Sequence, residues 1–367
     1  MMKQRNLFQK KSAAWLKLSL AAAFVLALMP YNGVTAHAED YSSDVKLNLA
    51  PLYVQIGDNN MQVPGGLSTE GDSYVGLAFL SKQLGLTTSW DETTRIVTVS
   101  SPGKTMKMTN QSTTYDLNGH HFYSSKPPVI VEGTTYLPLR FLLEQMGYSI
   151  GYTAADKLIS IQPIKENALK LTNTSIGDSK TEDGITIQYP QIEGWEHTAA
   201  SSKINAFLKA EALKFEASGK ELLKEVKGDQ TAGGPELRFS FDVNYTVTYN
   251  QQNKLSLHFD TYQYTGGAHG MYDMDAHTFD LLTGEEITLK QAALNDPNYK
   301  QIINNEIKKQ IQEREYVLLT PFESIGDDQR FYLKDNNIVV YFSLYEYTPY
   351  ALGIPEFTIP VSSFKSP

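Results

Sequence analysis

The side chains best suited to chemistry lie around position 270. His269, Asp273, Asp275 and His277 fall within nine positions, and on a strand Asp273, Asp275 and His277 share one face because side chains alternate. Two imidazoles with carboxylates form a donor set for zinc or a related divalent ion, and such a set would support a metal-dependent hydrolase. The same alternation describes the solvated face of a strand opposite Tyr272, Met274 and Ala276. In that reading Gly266 and Gly267 form a tight loop in which His269 bonds the backbone. The solvated face is the expectation here, with no metal and no cofactor. No nucleophile elbow raises a Ser-His-Asp triad above background, and Gly233-Gly234-Pro235 and Gly266-Gly267 lack the Lys-Ser/Thr ending of a phosphate loop. Cysteine is absent, which removes disulfides, thiol nucleophiles and Cys-ligated metals.

Aromatic residues are the more suggestive feature. The chain has 22 tyrosines, with clusters at Tyr262, Tyr264 and Tyr272 and at Tyr341, Tyr345, Tyr347 and Tyr350. A flat apolar ring with a polar tip serves protein interfaces and sugar-stacking surfaces. The loop Leu344 to Tyr350 is expected to be exposed, since Pro349 breaks the strand. Tyr262, Tyr264, Gly266, Gly267, His269, Tyr345, Tyr347 and Tyr350 are therefore the candidate binding residues.

The elements that must position them are legible in the second half. Residues 198–226 lack proline and set Ile204, Phe207, Leu208, Ala212 and Phe215 on one helical face. Phe239 to Tyr249 alternates as a strand, with Phe241, Val243, Tyr245, Val247 and Tyr249 on one side, and pairs through a turn at 250–253 with Leu255 to Tyr264. A strand near Met274 to Leu281, a helix from about Pro297 to Glu315, and strands at Phe331 to Leu333, Ile338 to Phe342 and Glu356 to Ile359 follow. The pattern predicts an α+β fold with helices over an antiparallel sheet.

The first half is organised by a duplication. Tyr74 to Ser100 overlays Tyr136 to Gln162 at a constant offset of 62 residues, pairing Tyr74 with Tyr136, Leu77 with Leu139, Phe79 with Phe141 and Gly85 with Gly147. Each copy reads as two short strands, a helix closed by glycine, and an alternating strand, Ile96 to Val99 or Leu158 to Ile161. The result is a duplicated small α/β module. His120-His121 reads as a turn feature, because adjacent strand residues point to opposite faces and cannot share one metal.

Charge and the leading segment set the compartment. Lys3, Arg5, Lys10, Lys11 and Lys17 precede an apolar run from Leu18 to Met29, and Ala36-His37-Ala38 supplies small residues at a cut site, the pattern of a secretory signal peptide. Its 12 residues would make a helix of about 18 Å, short of the ~30 Å hydrocarbon layer. Removal of residues 1–38 leaves 27 basic against 41 acidic residues, a formal charge of −14. Solubility is one use of that charge, and steering of a cationic partner is another. No basic run lies outside the leader, which excludes nucleic acid as a partner. The expected organisation is a signal peptide 1–38, a linker 39–50, a duplicated module 51–163, and segments 164–265 and 266–367 forming one composite unit. The expected destination is extracellular or cell-wall associated, with no stable membrane span after cleavage.

Two resemblances follow from these residues. Tyr136-Leu137-Pro138-Leu139-Arg140-Phe141, Met146-Gly147 and Leu158-Ile159-Ser160-Ile161 resemble the stalk repeat known as the copper amine oxidase N-terminal domain, common in exported proteins of Gram-positive bacteria. The resemblance implies a spacer or surface-attachment module. It does not imply oxidase chemistry, because the Asn-Tyr-Asp/Glu string that would supply a quinone is replaced by Asn244-Tyr245-Thr246 and Asn298-Tyr299-Lys300. The string Tyr264-Thr265-Gly266-Gly267-Ala268-His269-Gly270, followed by Phe279-Asp280-Leu281 and Thr283-Gly284-Glu285, resembles the paired extracellular domains of the lysozyme-sensing anti-sigma factor and of peptidoglycan deacetylases. In the deacetylases these domains precede the catalytic domain. This implies a secreted, non-enzymatic binding or sensing module whose partner is a lysozyme-like basic protein or peptidoglycan. The alternative it leaves open is a metal-dependent hydrolase or deacetylase accessory acting on cell-wall glycan.

Overall fold

The computed structural model describes residues 45–177, 184–228, 239–266 and 269–366. The expected signal peptide and Gly267 lie outside the described residues. Among the described residues no helix is long and apolar enough to cross a membrane.

After β1 (Leu47–Leu49), the first copy of the duplication runs through β2 (Leu52–Ile56), β3 (Asn59–Val63), β4 (Gly65–Ser68), β5 (Ser73–Gly76), α1 (Leu77–Leu84), β6 (Thr87–Asp91) and β7 (Ile96–Ser101). A single strand, β8 (Lys104–Thr109), separates it from the second copy. That copy consists of β9 (Thr114–Leu117), β10 (His120–Tyr123), β11 (Val129–Val131), β12 (Thr134–Pro138), α2 (Leu139–Gln145), β13 (Tyr148–Thr153) and β14 (Leu158–Pro163). Both helices end where glycine supplies a left-handed residue, Gly85 at φ 66° and Gly147 at φ 90°.

The copies are interlocked, which their sequences do not reveal. β5 and β12 pair antiparallel with Tyr74 opposite Pro138, Val75 opposite Leu137 and Gly76 opposite Tyr136. The 62-residue offset maps this register onto itself, as a local two-fold axis through Val75 and Leu137 requires. The outer sheets then exchange partners. Strands β13 and β14 of the second copy pair with β2 and β3 of the first, and β6 and β7 of the first reach β9 and β10 of the second through β8. Leu80, Val97, Leu137, Leu142 and Ile161, from both copies, share one core with Met106 of β8. Neither copy can bury its apolar face alone.

The second half has four layers. β15 (Lys170–Gly177), β16 (Ile185–Glu193), α3 (Thr198–Gly228), β17 (Ser240–Gln251), β18 (Lys254–Tyr264) and β19 (Met271–Asp280) are followed by α4 (Leu289–Ala292), α5 (Tyr299–Glu313), β20 (Phe331–Lys334), β21 (Asn337–Tyr341) and β22 (Glu356–Pro360). The five-stranded sheet β15-β16-β17-β18-β19 carries α3 on one face, where Ile204, Leu208 and Ala212 meet Phe241, Val243, Leu257, Phe259 and Phe279. The α+β class is as the sequence predicts. Two details differ. The helices do not share one sheet: β20, β21 and β22 form a second sheet, with α5 packed on its outer face and Met274 of β19 meeting Tyr332, Val339 and Tyr341 on its inner face. A β-bulge between Val247 and Tyr249 also breaks the alternation of β17, so that Tyr249 joins the core under α5 instead of the one under α3. Ser256 joins the two sheets, its fully buried hydroxyl accepting from Leu333 N at 3.0 Å and meeting Thr278 Oγ1 at 2.7 Å.

The duplicated module docks on this half through His120. Strands β16 and β17 pair in parallel only as far as Ile187 and Val243, then part. The β9–β10 hairpin lies in the fork. The main-chain carbonyl of His121 accepts from Gln188 Nε2 and Asn244 Nδ2, each at 2.7 Å, and its N–H donates to Gln188 Oε1 at 3.1 Å. His120 belongs to a strand and not to the turn that the sequence suggests: it is buried, stacks on Tyr245 with centroids 3.9 Å apart, and hydrogen-bonds Asn244. Because Asn244 Nδ2 is committed to His121, its Oδ1 is an acceptor, so His120 carries its proton on Nε2. Burial holds the His120 pKa down to about 4. His121, on the opposite face, is exposed beside Asp116 at 3.5 Å. Lys334 to Glu144 at 3.0 Å and Lys104 to Glu166 at 2.8 Å add ion pairs between residues far apart in the chain.

Candidate functional site

Most of the candidate binding residues gather where the β18–β19 hairpin ends. Tyr262 and Tyr272 are cross-strand partners, and the cross-strand neighbours Asp260 and Met274 continue their face toward the second sheet. Gly266 and His269 lie in the loop between the strands. His269 donates from Nδ1 to Gly270 O at 2.9 Å, the backbone bond expected of it, and its ring packs on Tyr350 at 4.3 Å. Tyr350 donates to the same carbonyl at 2.9 Å and lies edge-on to Tyr272 at 5.6 Å and tilted to Tyr345 at 6.0 Å. A Cβ at Gly270 would meet the outer ring atoms of Tyr262, so that ring would have to shift. Tyr345 sits at φ 66°, a left-handed conformation that tyrosine adopts at a cost of order 1 kcal/mol.

The loop 344–350 is not uniformly exposed, and Tyr347 departs from the cluster. Its ring meets Phe342 at 4.8 Å and Phe322 at 5.6 Å, partly buried against the core beneath α5. Tyr341 is fully buried and donates no ring to the surface: its hydroxyl accepts from Ala276 N at 2.8 Å and Arg330 lies over its face at 4.9 Å. The surface cluster therefore comprises Tyr262, Tyr272, His269, Tyr345 and Tyr350, with Tyr264 at the end of the same strand. Tyr262 is 43% exposed, the most open of these tyrosines. Exposed Asp273 and Glu346 stand beside this group, the former 3.5 Å from Arg330 and the latter accepting from Ser343 N at 2.9 Å.

The metal-capable residues divide differently from their sequence order. His269 belongs to the tyrosine cluster, and eight residues of extended chain, roughly 25 Å, separate it from His277. Asp273 pairs with Arg330. Asp275 and His277 do come together; the Asp275 side chain stays 48% exposed, while His277 is buried. Helix α3 covers it and brings in Glu211, which the sequence alone gave no reason to include. One donor atom each from Glu211, Asp275 and His277 lies within 4.8 Å of the others. His277 is buried, with Nδ1 2.7 Å from Glu286 Oε1 and with Phe207, Phe259 and Phe279 around its ring. Burial works against the charged ring, yet the Glu286 hydrogen bond with Asp275 and Glu211 nearby carries its pKa above the usual histidine value. A Gly-x-Ser-x-Gly string does occur, at Gly147 to Gly151, but it enters and runs along β13. Ser149 is therefore a strand residue and not the tip of a strand-to-helix elbow.

Comparison with known proteins agrees with both resemblances. Residues 44–161 match the family profile of the copper amine oxidase N-terminal domain, residues 178–272 that of deacetylase PdaC, and residues 292–362 that of DUF3298, a protein family of unknown function. The anti-sigma-V factor RsiV of Bacillus subtilis strain 168 is 25% identical over 226 residues, covering 58% of this chain and 75% of that protein. Two solved DUF3298 structures also match. The one from Bacteroides fragilis has 17% identity and a TM-score of 0.39 over 54% of this chain and 92% of its own. The one from Pseudomonas aeruginosa PAO1 has 13% identity and a TM-score of 0.32 over 53% and 90%. The tyrosine cluster straddles two of the matched segments, drawing Tyr262, His269 and Tyr272 from the PdaC-like part and Tyr345 and Tyr350 from the DUF3298-like part.

Proposed function

We propose that this chain is a secreted, non-catalytic protein of the cell envelope whose C-terminal half binds a basic protein of lysozyme type through the tyrosine cluster. The observation that carries the reading is the convergence of Tyr262, Tyr272, His269, Tyr345 and Tyr350 at one end of the β18–β19 hairpin, built from both segments of the composite unit. Aromatic rings with satisfied backbones and a polar rim suit an interface anchor. The similarity to an anti-sigma factor favours sensing over turnover, and the −14 charge after leader removal favours a cationic partner. The duplicated module holds the binding half through the seam at His120, so it acts as a rigid stalk and not a flexible tether.

Calorimetric titration with hen egg-white lysozyme at low and high salt tests this. Micromolar or tighter binding that weakens as the Debye length shrinks from about 30 Å at 0.01 M to about 8 Å at 0.15 M is the expected result. Binding indifferent to salt, or no heat at either salt, would remove the protein partner. The tyrosine cluster equally suits stacking on sugar rings, and sedimentation with peptidoglycan that is lost in the Tyr345→Ala, Tyr350→Ala double variant would favour the glycan instead.

A further inference from the structure

We infer that Glu211, Asp275 and His277 form a binding site for a divalent transition-metal ion of the zinc class, a site independent of the tyrosine cluster. Three observations carry it. The donors come from two elements, Glu211 from α3 and Asp275 and His277 from β19, and their oxygen and nitrogen atoms already lie within 4.8 Å of one another. A tetrahedral ion with ligands at about 2.1 Å needs donors about 3.4 Å apart, so rotation of the Glu211 and Asp275 side chains closes the set. The second observation is His277 Nε2, which has no hydrogen-bond partner although the residue is only 9% exposed. Its nearest acidic neighbour, Asp275 Oδ2, is 3.9 Å away, beyond hydrogen-bond reach and on the side where the ion would sit. The third is the fixing of the ring from behind. Nδ1 donates to Glu286 at 2.7 Å, the carboxylate–histidine arrangement that orients a metal-ligating imidazole and leaves Nε2 to coordinate.

The chemistry of the donors selects the ion. One imidazole nitrogen with two carboxylates suits zinc, cobalt or manganese, whereas magnesium and calcium prefer all-oxygen shells. Phe207, Phe259 and Phe279 keep the imidazole from rotating away. Lys214 neutralises part of the Glu211 charge and Arg330 pairs with Asp273, which leaves Asp275 and Glu286 to balance a dication. Bound there, the ion would cross-link α3 to the edge strand of the sheet.

The test is calorimetric titration of the chelator-stripped full chain with zinc chloride and, separately, magnesium chloride. The expected result is one equivalent of zinc at micromolar or tighter affinity and no magnesium heat. His277→Gln and Glu211→Gln should each weaken zinc at least tenfold, and Glu286→Gln, a positioning change, by about 10- to 100-fold. His121→Ala, which alters an exposed histidine elsewhere, should leave it unchanged. Glu211→Gln keeps the size and hydrogen-bonding capacity of a side chain that is 13% exposed, and its Tm, measured beside the titration, separates loss of the ligand from loss of the fold if His277→Gln fails to fold. No zinc binding, or zinc binding unaffected by Glu211→Gln, overturns the assignment and leaves His277 as an imidazole held among carboxylates.

Discussion

Acidification should loosen the seam between the duplicated module and the binding half, and His120 sets how much. Its folded pKa is near 4 because the ring is buried against Tyr245, whereas a free histidine titrates near 6.5. The folded, docked state therefore binds fewer protons between these values. Stability is complete above pH ~6.5 and falls as pH drops toward 4, where it levels off. From pH 7 to pH 4.5 the linkage costs about 2.4 kcal/mol. His120→Phe keeps a ring on Tyr245 but does not titrate. It gives up the bond to Asn244, whose Oδ1 still accepts from Tyr245 N at 2.9 Å, so the loss is that of one hydrogen bond, about 1 kcal/mol. Denaturant unfolding of both proteins at the two pH values isolates the effect, because titrations elsewhere cancel in the difference. Wild type should be the more stable by about 1 kcal/mol at pH 7 and the less stable by about 1.4 kcal/mol at pH 4.5. An unchanged difference between the two proteins at both pH values would refute the burial and tautomer assigned to His120.

Two further substitutions separate core from surface. Tyr347→Ala removes a ring packed on Phe342 and Phe322 and should cost about 2–4 kcal/mol in denaturant unfolding, whereas Tyr345→Ala leaves the left-handed backbone as it is, removes only a partly exposed ring and should fall within about 1 kcal/mol of wild type. Equal losses would mean that the loop is oriented otherwise. Ser256→Ala strands the buried N–H of Leu333 between the two sheets and should cost about 1–3 kcal/mol by the same measurement, while a neutral result would deny Ser256 its linking role.

What could be read in the sequence was whatever repeats or alternates locally. The 62-residue offset is a repeat along the chain, while the apolar face of α3, the alternation of β18 and that of β17 as far as its bulge are periodic signals within one element, and each appears in the structure. The exchange of outer sheets between the two copies is a choice among chemically similar partners, so neither copy's sequence marks it. The short strands β20 to β22 are legible, but their separation into a second sheet depends on which face Met274 and Tyr341 bury. His277 looks as solvated as Asp273 because polar alternation on a strand ordinarily means water, and it is α3, some seventy residues earlier, that covers His277 while Asp273 stays exposed. Glu211 was invisible for the same reason. In the loop 344–350 the chain leaves regular geometry, so no period tells that Tyr347 turns inward while Tyr345 and Tyr350 join His269. His120 reads as a turn feature because adjacent strand residues cannot share one metal, whereas the hairpin fills a fork that only tertiary packing creates.

Hydrogen–deuterium exchange of the full chain with and without saturating hen egg-white lysozyme tests the central claim most directly, since it reports both binding and place. Slowed exchange confined to residues 260–275 and 343–353 is the predicted result, with the strands of the duplicated module unchanged. Protection limited to residues 47–163, or none anywhere under conditions where lysozyme is in large excess, would contradict the account.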